Sequence, residues 1–333
     1  MNTATLTIRE ANPETDYERL AVLISAASVQ PVTAQHIRGW DKNNPSRQIR
    51  RRAVGINDDG QIVAYSVVVR EARNVQFQRF YIGITVDETY RRQGIGTQMF
   101  DDAKAFATEN GARELSSETL DNDADSLRFA EKRGYHIHTH SFASHLDLTG
   151  FDEKPYVHSI LRAEASGIRF STLAAEGNTP EVQFKLYTLN NQTAQDNPAA
   201  DKREPFPTFE IFQHQVFNAD WFNPNGQFLA IDGDKYVGLG AVALDGGIAY
   251  SAFTGVDKNY RGRGIAQTLK LLTIRYAIAN GASALLTDND SKNAAMLRVN
   301  RKFGFQPQVG TYGLRSKQNA SGMARNVRIW LTL

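Results

Sequence analysis

Ile84-Thr-Val-Asp-Glu-Thr-Tyr-Arg-Arg-Gln-Gly-Ile-Gly96 returns 170 residues later as Thr254-Gly-Val-Asp-Lys-Asn-Tyr-Arg-Gly-Arg-Gly-Ile-Ala266. The same offset joins Asn110-Gly-Ala112 to Asn280-Gly-Ala282, Leu127-Arg128 to Leu297-Arg298, and Gly134-Tyr135 to Gly304-Phe305. One offset held over about fifty residues marks two copies of one domain. In both copies a run that reads as a strand ends at Val86 or Val256, turns sharply, and enters a long helix. Gly94, Gly96 and Gly264 allow unusual backbone angles and close approach there. Consecutive N–H groups at a helix start, reinforced by the helix dipole, welcome a pyrophosphate. Arg91, Arg92, Arg261 and Arg263 can add charge-assisted contacts.

Other glycine-loop designs fit less well. A dinucleotide fingerprint needs a further Gly where Met99 and Leu269 stand, and a P-loop needs Gly-Lys-Ser/Thr.

Composition bounds the rest. A chain of 333 residues suits two domains of ordinary size. The repeat divides it into 1–150, a connector at 151–167, and 168–333. Apolar residues make up 41% and charged residues 22%, as in soluble globular proteins. A net charge of +2 gives no reason to expect a nucleic-acid or membrane partner. The absence of cysteine excludes disulfides, thiolate metal sites and a cysteine nucleophile. No signal peptide and no long apolar run is visible, so a cytoplasmic location is expected.

Periodicity predicts the same element order in each half, β-α-α-β-β-β-α-β-α-β-β. In the first half, helices are expected near 15–27 and 33–43, and strands near 48–55, 62–70 and 76–86. The turn then leads into a helix to about residue 110. A strand at 114–118, a helix from Asp123 to Lys132 and two short strands to Leu148 complete it. The second half predicts helices near 179–193 and 208–218, and strands at 228–231, 237–243 and 248–256. The glycine turn and long helix over 261–280, a strand at 284–288, a helix over 291–303 and a last strand at Val327–Leu331 follow. Thr193–Pro207, with three prolines, is the expected irregular segment, and Glu204–Phe212 borders the presumed pocket. The fold class is α/β, an α+β arrangement with a mixed sheet, present twice.

The chain here resembles the GCN5-related N-acetyltransferases, as a tandem pair. Their signature, Gln/Arg-x-x-Gly-x-Gly/Ala between a fourth strand and third helix, is met by Arg91-Arg-Gln-Gly94-Ile-Gly96 and Arg261-Gly-Arg-Gly264-Ile-Ala266. A second family block resembles Asn293-Ala-Ala-Met-Leu-Arg-Val-Asn300-Arg-Lys-Phe-Gly304-Phe305. The resemblance implies acetyl-CoA as co-substrate, a small-molecule amine as acceptor, and no metal. The donor would lie where strands four and five part. Ile84, Thr85 and Val86, and likewise Thr254, Gly255 and Val256, would pair with its pantetheine arm. The amides of Arg91, Arg92, Gln93, Gly94, Ile95, Gly96 and Thr97 would hold its pyrophosphate. Arg261, Gly262, Arg263, Gly264, Ile265, Ala266 and Gln267 would do so in the second copy, with Asn293 at the acyl end.

The catalytic positions depart from the family. Where it often places a tyrosine to protonate the thiolate, this chain has Asn300 and Ala130. No carboxylate stands on the fourth strand, only Tyr250. Asp288, with Glu118 as its loose counterpart, is the nearest acid, so Asp288, Tyr250 and Asn300 are the catalytic candidates. The second copy keeps Asn293 where the first has Asp123, and is the expected catalytic one. Without cysteine, direct attack in a ternary complex is the expected route. Two rivals stay open: a non-catalytic CoA-binding or interaction protein, and an acyltransferase for a peptide or aminoacyl-tRNA.

Three further features have ordinary readings. His136, His138 and His140 share a strand face, as a partly exposed strand would. Asp121, Asp123 and Asp125 lack the Gly and Glu of a calcium loop and suit a helix start. Arg50-Arg51-Arg52 reads as a solvated strand edge, and Trp221 with Phe222 as a pocket wall or satellite core.

Overall fold

The computed structural model describes residues 6–42, 49–71, 78–196 and 206–317. The first copy runs β1 (Thr7–Glu10), α1 (Tyr17–Ser25), α2 (Ala34–Lys42), β2 (Arg50–Ile56), β3 (Ile62–Arg70) and β4 (Arg79–Val86). It continues with α3 (Ile95–Glu109), β5 (Glu114–Leu120), α4 (Ala124–Glu131) and β6 (His136–Asp147). The connector contains α5 (His158–Glu164). The second copy runs β7 (Arg169–Thr172), α6 (Pro180–Gln195), α7 (Phe209–Phe212), β8 (Gln227–Asp232), β9 (Lys235–Asp245) and β10 (Ile248–Val256). It ends with α8 (Ile265–Ala279), β11 (Ala284–Asp290), α9 (Ala294–Lys302) and β12 (Gln306–Lys317).

Local chemistry sets most boundaries. Thr179 accepts from the Val182 amide and Pro180 fills the first helical position, so α6 starts there. The long helices begin at Ile95 and Ile265, after the expected glycine turns. Gly94 and Gly264 stand before them at φ 84° and 88°, which no helix accepts. The helix expected over 208–218 is a four-residue α7 followed by a π-turn, Gln213–Phe217. The two short strands expected before Leu148 are one strand, β6. β12 stands where the expected order places a strand after the helix over 291–303, and the strand expected at Val327–Leu331 lies outside the described residues, as do 197–205 of the irregular segment.

The described residues form two compact units, those up to 140 with those from 309 onward, and those between 141 and 308. The first unit's sheet has the order β1-β2-β3-β4-β5-β12 and the second's β6-β11-β10-β9-β8-β7. In the first, Thr311–Lys317 of β12 pair antiparallel with Leu120–Glu114 of β5. In the second, Asp147–Ser141 of β6 pair with Ala284–Asp290 of β11. Each copy's last strand therefore completes the other copy's sheet. Two copies of one design can exchange an equivalent strand at little cost, because the slot beside β5 or β11 takes either. A contiguous division at 150 and 168 follows the repeat; the compact units do not.

Helices cover both faces of each sheet. In the first unit Phe100, Ala103 and Ala107 of α3 pack on Phe80 and Ile82, while Leu20 and Ile37 of α1 and α2 pack on Val54 and Tyr65. In the second, Leu269 and Ile274 of α8 join Ala249 and Leu285, and Leu186 of α6 joins Leu229 and Leu239. α8 lies so close to β9 that a Cβ on Gly238 would sit 2.8 Å from Ile265 Cγ2. Leu269 is fully buried in this seam, and truncating it to Ala costs roughly 2–5 kcal/mol.

Candidate active site

Each unit opens its sheet at one place. β4 and β5 pair in parallel at Arg79–Glu114, Phe80–Leu115 and Tyr81–Ser116 and then part. β10 and β11 pair at Ile248–Ala284, Ala249–Leu285 and Tyr250–Leu286 and then part. Past these residues both inner strand edges carry backbone donors and acceptors toward a gap, which an extended ligand can satisfy.

The glycine turn stands at the mouth of the gap. Arg91 Nε and Arg261 Nε each donate to the last strand carbonyl, Val86 or Val256, at 3.2 Å. This tie folds the turn back against the strand. The amides of Ile95 and Gly96 in α3, and of Ile265 and Ala266 in α8, have no intrahelical acceptors and lie at the positive end of the helix dipole, while the Thr97 amide donates to the Gly94 carbonyl at 3.0 Å. In the first unit the resulting cleft measures 690 Å³ and in the second 560 Å³.

Most of the expected donor-binding residues border these clefts. Ile84, Thr85, Val86, Arg91, Arg92, Gly94, Gly96 and Thr97 line the first; Gln93 and Ile95 do not. Thr254, Gly255, Val256, Arg261, Gly262, Gly264, Ile265, Ala266, Gln267 and Asn293 line the second. Arg263 instead lies over the Tyr260 ring, 4.8 Å from its centroid. Asn293 caps α9 by accepting from the Met296 amide, and Asp123 caps α4 by accepting from the Ser126 amide.

Charge favours an anion in both clefts. Five cationic side chains and three acids line the first; three cations and one acid line the second. Arg92 forms an ion pair with Asp125, whose carboxyl is held below its ordinary range by Arg92 and then Arg128. Arg261 pairs with Asp196 at 2.8 Å. Sequence reasoning missed one wall residue here, Arg162, and named Thr254 only for its backbone. Arg162 on α5 donates to the Gly262 carbonyl at 2.8 Å, and Thr254 Oγ1 is buried with no hydrogen-bond partner. A polar atom so placed in a cleft wall is positioned for a ligand.

The strand β10 carries a bulge. Ser251 opposes Val242 and Phe253 opposes Ala241, so Ala252 is an extra residue against β9. β4 pairs with β3 without a shift. The bulge lies between the parallel pairs and the cleft, where an unpaired residue re-aims the strand.

The catalytic candidates divide. Tyr250 donates to the Asp288 carboxylate across the start of the gap. Burial first and Asp288 second raise the Tyr250 pKa well above its ordinary value. In the first unit Tyr81 makes the matching bond to Glu118 at 3.2 Å. Asn300 is in the core, 2% exposed, with its amide donating to Asn289 at 2.8 Å. None of Tyr250, Asp288 and Asn300 lines the second cleft, whereas Glu118 lines the first.

The remaining features are structural. His140 pairs with Asp121 at 3.0 Å, and among the described residues no group of three His, Asp or Glu could hold a metal. Arg50–Arg52 lie on β2, paired with β3 but past Ala53–Ile56, the residues that β1 covers, and are ion-paired: Arg50 and Arg52 with Asp41, Arg51 with Asp102. Trp221 packs on Phe222, which joins an aromatic cluster with Phe217, and neither lines a cleft. No helix among the described residues is long and apolar enough to cross a membrane.

Known proteins share this arrangement. The model of the acetyltransferase (GNAT) family matches residues 21–135 and 188–305. The chain is 23% identical over 224 residues to the mycothiol acetyltransferase of Corynebacterium glutamicum, 67% of this chain and 70% of that protein. It matches the crystal structure of a GCN5-related N-acetyltransferase from Sphaerobacter thermophilus with a TM-score of 0.66 at 18% identity, covering 94% and 95% of the two chains. A tandem GNAT protein from the clavulanic acid biosynthesis pathway matches with a TM-score of 0.59 at 17% identity, covering 94% and 98%. With the family model matched once in each copy, and a parted sheet and glycine turn in each, the chain belongs to the GNAT family as a tandem N-acetyltransferase.

Proposed function

We propose that the chain moves an acetyl group from acetyl-CoA to the amine of a small molecule, by direct attack in a ternary complex, with the second unit as an acting centre. The observation that carries this reading is the parting of β10 and β11 directly before the left-handed Gly264 that opens α8. An extended pantetheine arm suits the open strand edges, and a diphosphate suits the turn. The donor fits these residues on two counts: the cleft has a surplus of cations, and Thr254 Oγ1 lacks a partner.

The donor supplies an activated acyl group, so the protein's own tasks are few. Backbone amides beside the Ala252 bulge, left over by the ladder, are suited to polarise a carbonyl. Asp288, at the point where β10 and β11 part, is the base in this reading, and Tyr250 fixes its direction through their hydrogen bond. The chain has no cysteine, which agrees with attack on the donor itself rather than on a cysteinyl acyl-enzyme.

Steady-state kinetics against a panel of small amines tests the reading. Intersecting double-reciprocal lines with amine-dependent thiol release are expected. Parallel lines together with a trapped acetyl-enzyme would remove the ternary-complex route. Tight coenzyme A binding without turnover on any amine would leave a binding protein.

A further inference from the structure

We propose that the first unit is a second acyl-transfer centre, in which Glu118 serves as the base for an amine acceptor. The inference rests on the reading above and extends it to the copy whose motif departs further from the family pattern.

Strand register carries the argument. The glycine turns lie 170 residues apart, and so do β5 and β11, whose last parallel-paired residues are Ser116 and Leu286. Their partners across the ladder are Tyr81 and Tyr250, which lie 169 apart. The missing residue is the Ala252 bulge, which restores the common offset before the turn. Tyr81 is therefore the structural counterpart of Tyr250, although the gapless repeat aligns it with Ser251. Glu118 and Asp288 both stand two residues past the last parallel pair, and each accepts a hydrogen bond from its tyrosine. The two units carry the same tyrosine–carboxylate pair at the same point of the parting sheet.

In the first unit that pair is joined to the turn by open space. Glu118 and Arg91, Gly94 and Gly96 line one 690 Å³ cleft, with Phe100 and Tyr135 as apolar wall. Glu118 is exposed, so an acceptor can reach it. Tyr81 is pushed well above the ordinary phenol range by burial and then by Glu118, and stays a proton donor to that carboxyl.

The step balances without a further reagent. The amine nitrogen attacks the thioester carbonyl carbon, a C–N bond forms and the C–S bond breaks with its electron pair leaving on sulfur. Glu118 takes the amine proton and returns it to solvent, and the coenzyme A thiolate takes one from solvent.

The test separates the units. Gly264→Val places a β-branched side chain at φ 88°, with a Cβ 3.1 Å from the Ser159 carbonyl oxygen, and should disable the second turn. That full-length variant is expected to bind one coenzyme A by calorimetry and still release thiol with amines. Adding Glu118→Gln should cut that release by roughly 100-fold, the scale of a lost general base. One coenzyme A bound without amine-dependent release, or release that ignores Glu118→Gln, overturns the second centre. If Gly264→Val does not fold, the exposed single variants Glu118→Gln and Asp288→Asn decide: losses confined to Asp288→Asn overturn it, and losses in both uphold it. Wild-type protein that turns over no amine fails in a different way, by removing the transferase reading itself.

Discussion

Lys270 Nζ lies 2.8 Å from Ser251 Oγ, and both side chains are buried in the second unit. The ammonium also faces the Phe305 ring at 5.4 Å. Ser251 is the residue before the bulge, so α8 holds β10 through this contact at the point where its register shifts. Burial pushes the Lys270 pKa down to about 7. An unfolded lysine keeps its proton to about pH 10.4, so between the two values the unfolded chain binds more protons than the folded one. Stability should therefore rise with pH from about 7 toward 10, and the full penalty is present below pH 7. Lys270→Met should raise unfolding free energy at pH 6 by a few kcal/mol, less about 1 kcal/mol for the lost hydrogen bond, and flatten the pH dependence. Denaturant titrations at pH 6 and pH 9 check both effects. Equal stability of wild type at the two pH values would refute a neutralised lysine.

Thr254→Val replaces a buried hydroxyl that has no partner with a methyl group of similar shape. Removing an unsatisfied polar atom leaves stability unchanged or raises it by about 1 kcal/mol. If the hydroxyl meets the donor, acetyl-CoA affinity in the second unit should fall about 5- to 10-fold. Chemical denaturation and calorimetry together read the split. A variant that loses stability and keeps affinity would assign Thr254 to the framework.

The sequence repeat reveals the glycine turns because their chemistry is local: a left-handed glycine, a following helix and a flanking arginine suffice. Of the seven turn residues expected to hold the donor in the first unit, Gln93 and Ile95 fall outside the cleft. A turn orients only some of its residues inward, and composition does not tell which. The Ala252 bulge was hidden by the same repeat that exposed the fold, since a constant offset through the motif masks a one-residue slip upstream. Its trace was present in Tyr81 and Tyr250 at a spacing of 169. Asn300 stood at a family tyrosine position, yet its partner Asn289 comes from another element, and only packing decides that the pair is buried. The strand exchange left no mark in either copy's pattern, because β6 and β12 offer their neighbours equivalent edges.

Arg162 is a contact that no motif announces, since α5 belongs to the connector. Its guanidinium holds the Gly262 carbonyl at 2.8 Å and borders the second cleft. Arg162→Ala should loosen the turn and remove one cation, weakening acetyl-CoA binding in the second unit by about 5- to 30-fold, as charged hydrogen bonds of 1.5–3 kcal/mol imply after partial rescue by water. The first cleft should keep its affinity. Two-site calorimetry would show one constant moving, and two constants moving together would count against the assignment.

Arg92 sits at φ 63°, where the second copy has Gly262 at φ 81°. An L-residue in that region is strained, so evolution toward glycine would be neutral or favourable for folding alone. Arg92 is instead largely exposed to solvent and pairs with Asp125 at the rim of the first cleft. A strained, exposed cation beside the glycine turn makes sense if it exchanges Asp125 for the donor's phosphates. Arg92→Gly should leave stability unchanged or higher, yet weaken donor binding in the first unit by roughly tenfold at low ionic strength. Because the contact is exposed, added salt should shrink the difference between variant and wild type. Calorimetry at low and high sodium chloride measures this directly, and a variant with wild-type affinity at low salt would show that Arg92 serves only its ion pair.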